Sequence, residues 1–297
     1  MNRKPTLSLA IMVATALLFW GSVAQAQHMQ LIPGATLSQL AVGSPWNIWG
    51  VNSAHQIFRF NPVTHSFGQV AGSLVQIAVG GGNMQQLDAV WGVNSNQQVF
   101  QYNGMGWVQI SGSLTSVSVG TGHGGCYPYE VWGLDSSHRA WRYDFCYARW
   151  EVGIGYFTTV VSSGAEVWVL GTNSNVYRFN FSTGGFDQMP STFYQISIAG
   201  GGGAIFGLHS GFPNSLIYQF NPGTQNWFQI PGTVRTLSAG GNELWGINRG
   251  NQLWKIIPSS QTWISVPGSY SQVAVGNGGG GVWAIDFSGN AYMFVTP

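Results

Sequence analysis

Long polar side chains recur at one repeated position of this chain: Arg59, Gln101, Arg142, Arg178, Gln219 and Lys255, with Met293 in the last copy. Each sits between large apolar residues, as in Ile57-Phe58-Arg59-Phe60. Such side chains suit holding a polyhydroxylated ligand rather than breaking a bond. Arg offers a planar, permanently charged fork, and the Gln amide both donates and accepts. Strand alternation turns them away from their apolar neighbours, toward the face between structural units. Burying them there unpaired would cost on the order of a few kcal/mol. Two kinds of partner are expected, neighbouring backbone carbonyls or a glycan lying in the groove.

A second column, Asn52, Asn94, Asp135 and Asn248, follows a Trp-Gly-like step and opens a turn; Gly171, His209 and Asp286 stand in the other copies. The short side chain either folds back onto its own backbone as an Asx turn or accepts hydrogen bonds from sugar hydroxyls. Trp107 and Trp227, with Trp46, Trp150 and Trp263, are candidates to stack on sugar rings. All but Trp46 open the outermost strand of their unit, where a ring can be exposed, although repeating aromatics in a propeller are more often core. The Trp of the Trp-Gly step is assigned to the core.

Catalytic and metal chemistry find little material. His28, His55, His65, His123, His138 and His209 share no spacing that would gather a metal site. The nine acidic residues fall in different units and at different depths, so no glycosidase-like pair is legible. The runs Gly80–Gly82, Gly200–Gly203 and Gly278–Gly281 lack the Lys-Ser/Thr or following helix of a phosphate cradle. No catalytic residue, metal or cofactor is expected.

The elements that position these columns follow from a repeat. Leu74-Val75-Gln76-Ile77-Ala78-Val79-Gly80 recurs in units starting near residues 37, 74, 114, 157, 193, 234 and 270. Each copy continues with a Trp-Gly-like step (Trp49-Gly50, Trp91-Gly92, Trp132-Gly133), then an alternating run, then a run ending in Pro/Gly punctuation, as in Trp227 to Gly232. The runs are short, rich in β-branched and aromatic residues and bounded by turn formers, which are strand signals. Four strands in about 40 residues is the arithmetic of a β-propeller blade. The predicted fold is therefore all-β, a seven-bladed β-propeller of four-stranded antiparallel blades. A small-residue column (Ala41, Ala78, Ser118, Ser197, Ser238, Ala274) fits innermost strands crowding round an axis. The seventh unit has three strands, and Met29 to Gly34 matches Trp227 to Gly232, so the N-terminal strand is expected to complete the last blade and cover its edge.

Composition agrees. The 297 residues are 14% aromatic but only 6% charged, against about 25% charged in ordinary domains. Ten Lys and Arg nearly balance nine Asp and Glu, so no electrostatic driver for nucleic acid exists. Arg3-Lys4, an apolar stretch from Leu7 to Trp20 and Ala24-Gln25-Ala26 read as a secretory signal peptide over residues 1–26, cleaved near Ala26. The mature chain, 27–297, is then a single propeller with no membrane span, exported to the periplasm or the extracellular space. That compartment lets a disulfide persist. In a four-stranded meander the first and third hairpin loops share one side. Cys126 and Cys146, the only cysteines, fall in those two loops of the third unit and are expected to pair.

The recurring pattern apolar-x-x-Ile-Ala-Val-Gly, Val-Trp-Gly-Val-Asn, Val-Phe-Arg-Phe and Trp-x-Gln-Ile-Pro-Gly resembles the tectonin, or fish-egg lectin, family of β-propellers. Unit four departs with Val169 and Gly171, and unit five with Phe206 and His209. The resemblance implies a secreted, multivalent carbohydrate-binding protein. Members recognise bacterial surface glycans, lipopolysaccharide or methylated sugars through several equivalent sites, and other relatives are non-catalytic protein-interaction modules. The expected partners are thus glycans or lipopolysaccharide, with a protein partner as the alternative.

Overall fold

The structure, a computed structural model, describes residues 27–80, 89–163, 166–199, 203–210, 215–241, 243–257, 260–276 and 281–296. The expected leader, residues 1–26, lies outside the described residues, as do most of the glycine runs. The elements are antiparallel strands throughout. Five sheets have four strands, and one has seven because Arg149–Ser163 runs unbroken from the outermost place of one unit to the innermost of the next. Taken by their strands, these are seven four-stranded blades among the described residues. Their innermost strands touch in succession, and the ring closes where Gln272–Val275 meets Gln39–Val42.

The final blade is completed by His28–Thr36, which pairs with Asn290–Val295 in the register His28↔Val295 and Ile32↔Ala291. This is the closure that the repeat predicts.

One row of residues runs across every blade at the same depth. In the first it is Ala41, Trp49, Arg59 and Gly68, each opposite the next; in the third it is Ser118, Trp132, Arg142 and Glu151. The Trp side chains of this row form the core. Trp49, Trp91, Trp132, Trp168, Trp245 and Trp283 are all fully buried, each worth roughly 4–6 kcal/mol in transferred area as an upper bound. Gly follows the Trp for a packing reason. A Cβ on Gly50 would lie 2.6 Å from the Leu37 side chain and 2.9 Å from the Gln39 carbonyl.

Blades are also stitched near the axis. The Gln39 side-chain amide accepts from the Ile77 N–H at 3.0 Å and donates to its carbonyl at 3.2 Å, as a paired strand would. Gln76 treats Val117 in the same way, Gln195 treats Leu237, and Gln272 carries the pattern across the closure to Leu40. In the small-residue column, Ser118, Ser197 and Ser238 each accept from the next blade's backbone at 3.0 Å. Small side chains let the strands approach, and the hydroxyls bond what approaches. Cys126 and Cys146 are disulfide-bonded with Cα atoms 5.4 Å apart, joining the first and third loops of the third blade.

Candidate functional site

The cation column faces the junction between blades, and three of its four cations have a partner that was not expected, a carboxylate. Arg142 donates through Nη2 to Glu130 Oε1 at 2.7 Å and through Nε to Oε2 at 3.1 Å. Glu130 is 0% exposed, and its Oε2 also accepts from the Trp132 indole at 3.1 Å. The guanidinium lies over Tyr127 at 4.3 Å and reaches Phe181 of the next blade at 5.3 Å, both favourable ring contacts for a cation. Arg178 repeats the arrangement with Glu166 and Trp168, and Lys255 with Glu243 (2.5 Å) and Trp245.

A carboxylate from the blade's own second strand therefore replaces the backbone carbonyls that were expected. The signal was present in the sequence. Glu stands two residues before the Trp in the three blades whose third strand carries this ion pair. Ala89 and Ala204 stand there where the third strand carries Gln101 and Gln219, and Gly281 where it carries Met293. Reading the columns singly hid this pairing.

The remaining cation is different. Arg59 has Asn47 where the others have Glu, and its Nη2 donates to Asn47 Oδ1 at 3.2 Å and to the Trp46 carbonyl at 3.3 Å. Among the described residues no carboxylate neutralises it. Trp46, in the same loop, is 62% exposed. The amides of Gln101 and Gln219 have no hydrogen-bond partner among the described residues. Gln219 lines two grooves, one of 360 Å³ between the fourth and fifth blades and one of 290 Å³ between the fifth and sixth. The junctions are thus chemically unequal.

The second column lies on the opposite side of the ring. Asn52 Oδ1 accepts from the Ala54 and Gln56 N–H groups at 3.0 and 2.9 Å, and its Nδ2 donates to Gln56 Oε1 at 2.8 Å. Asn94 does the same with Asn96 and Gln98, and Asn248 bonds both backbone and side chain of Gln252. Asp135 accepts from Ser137, Arg139 and Trp141. Burial pushes the Asp135 carboxyl up, yet the bonds from Trp141, Arg139 and Ser137 outweigh it and hold its pKa below the ordinary value. These positions build Asx turns, and the structure does not bring them together with the cation column.

Of the two readings of the outer tryptophans, the structure bears out the core and not the protruding platform for Trp107 and Trp227. Trp107 is half-buried, edge-on to Trp49 at 5.7 Å and against Tyr102 at 5.3 Å. Trp227 packs on Trp168 at 6.0 Å and on Phe193 at 4.6 Å. Both indole nitrogens are shut off from solvent. The reason is geometric: an indole opening the outermost strand reaches over the junction onto the preceding blade. Among the described residues no group of His, Cys, Asp and Glu could hold a metal ion, and no helix is long and apolar enough to cross a membrane.

Fold and grooves together define a β-propeller with polar interblade junctions on the side that carries the first and third loops. The tectonin domain model matches residues 22–151 and 122–296, and the chain belongs to the tectonin family. Among solved structures it is similar to YCF48 bound to D1 peptide, with a TM-score of 0.64 and 13% identity, covering 91% of this chain and 96% of that one. It is also similar to Prp20p from Saccharomyces cerevisiae, a structure described with binding to Gsp1p and histones. There the TM-score is 0.63 and the identity 8%, over 86% of this chain and 81% of that one. At those identities the likeness carries the fold alone. No relative is found among the curated proteins.

Proposed function

We propose that this chain is an exported, non-catalytic carbohydrate-binding protein whose principal contact is the Trp46–Arg59 corner of the first blade. The observation that supports this is the 62% exposed Trp46 indole beside an arginine without a carboxylate partner among the described residues. The apolar C–H face of a pyranose stacks on an indole. The guanidinium donates to ring hydroxyls or to an acidic substituent of the kind that bacterial surface glycans and lipopolysaccharide carry. Arg142, Arg178 and Lys255, already engaged by glutamates, serve the frame in this reading. The amides of Gln101 and Gln219, without a partner among the described residues, offer weaker, neutral sites, and several contacts on one rigid ring raise avidity. Export fits the basic and apolar leader and the Cys126–Cys146 disulfide.

A glycan and lipopolysaccharide array tests this. Binding to acidic saccharides is expected, lost at least tenfold in Trp46→Ala and made less salt-sensitive in Arg59→Gln. Silence across a broad panel, or undiminished binding by Trp46→Ala, overturns it. A protein partner is the second reading, supported by the outer face of the third blade, where Val152, Ile154 and Tyr156 stand 56%, 83% and 63% exposed in one row. Capture of a protein that is lost on Ile154→Asp, with the arrays silent, would favour it.

A further inference from the structure

At six of the seven junctions the buried Trp of one blade meets an aromatic ring from the next. The pairs are Trp49–Tyr102, Trp91–Tyr143, Trp132–Phe179, Trp168–Phe220, Trp245–Phe294 and Trp283–Phe60, with ring centres 4.7–5.2 Å apart. The junction between the fifth and sixth blades breaks the rule on both sides. Phe206 stands for the Trp and Ile256 for the facing ring, while Ala204, like Ala89 in the second blade, stands where the ion-paired blades have Glu. All three side chains line the same space. The structure shows there a cavity of about 290 Å³, walled by Phe206, Ile230, Leu244 and Ile256, with the exposed Gly241 and Gln261 also in its lining.

A cavity of roughly half that size with similar lining takes up benzene, and small-molecule sites are mostly apolar with a few placed polar groups. Here the placed group is Gln219, which lines the cavity and whose amide has no partner among the described residues. The one carboxylate on the wall, Glu243, is already held by Lys255 at 2.5 Å and by Trp245 at 2.9 Å.

We infer that this junction is a binding site for one small neutral aromatic molecule bearing a hydroxyl, the phenol class. The ring takes the place of the missing stacking partner against Phe206, and the hydroxyl bonds the Gln219 amide. A charged carboxylate on the ligand would meet Glu243, which selects for a neutral head. The site is separate from the Trp46–Arg59 corner; it shares only Gln219 with the weaker neutral sites and does not depend on their taking a sugar.

The test uses p-cresol and toluene as probes of the full mature chain, by ligand-observed NMR and calorimetric titration. The expected result is one p-cresol bound per chain, with toluene weaker by three- to tenfold. Phe206→Trp with Ile256→Phe rebuilds the repeat's own ring pair, so p-cresol binding should fall at least tenfold while the thermal midpoint is unchanged or higher. Should that variant misfold, Gln219→Leu keeps the cavity apolar and should erase the preference for p-cresol over toluene. Trp46→Ala should leave p-cresol binding intact, which separates this site from glycan recognition. No binding by the wild-type chain, equal binding by the filled variant, or a preference that survives Gln219→Leu overturns the inference.

Discussion

The Glu130–Arg142 pair permits a quantitative test of what the cation column is for. Arg142→Gln removes the charge while Glu130 stays fully buried, still accepting from the Trp132 indole. Breaking a buried pair by removing one partner costs about 3–5 kcal/mol, because the other charge is left uncompensated. The Arg142 side chain is 15% exposed, so some water reaches the site and the lower end, about 3 kcal/mol, is expected. At this chain length about 2 °C of thermal midpoint accompanies each kcal/mol, giving a fall of roughly 6 °C. Adding Glu130→Ala recreates the Gln101 and Ala89 combination of the second blade, and should return the midpoint to within about 2 °C of wild type. Thermal unfolding followed by near-ultraviolet circular dichroism and by calorimetry reads both. If the single and double variants melt together, the pair is not a coupled buried unit. If Arg142→Gln costs nothing yet abolishes glycan binding, Arg142 contacts ligand and the division between frame and contact is wrong.

Three further outcomes follow from the geometry. Ser174, exposed at φ 66° in a position where the seventh blade has Gly289, sits in backbone space that side chains adopt at a cost, so Ser174→Gly should stabilise by about 0.5–1 kcal/mol in denaturant titration. Burial raises the Asp286 and Asp135 carboxyls, but their hydrogen bonds, led by Asn290 and Trp141, prevail and leave both pKa values low. Their stability is therefore fully present above the unfolded value of about 3.9 and is lost as pH falls toward the folded values, so Asp135→Asn with Asp286→Asn should flatten the acid limb of the pH–stability curve. Replacing Cys126 and Cys146 by Ser opens a cross-link between residues 20 apart in sequence; about 3 kcal/mol should be lost, and a midpoint indifferent to reductant would contradict the bond.

The repeat made the fold readable because each blade restates the same strand signals, and the closing strand betrays itself by matching Trp227 to Gly232. Topology alone also placed Cys126 near Cys146, since alternate hairpin loops of a meander must share a side. The candidate site was less legible. Arg142 and Glu130 are 12 residues apart in sequence, and their meeting depends on the register Trp132↔Arg142 between adjacent strands. Only a comparison of two columns across the copies reveals it. The burial of Trp107 and Trp227 is a property of the junction, because the surface that covers each belongs to a different blade. Trp46 lies in a loop outside the repeated strand pattern, so nothing periodic marked it apart from the other tryptophans.

Placing His28 directly opposite Val295 leaves the ring without an intrinsic beginning. A short linker could splice the two ends, and exposed turns such as the one after Asn221 could then serve as new termini, since permutation is tolerated where breaks fall at surface connections. Order along the chain would be rotated while every blade kept the same two neighbours.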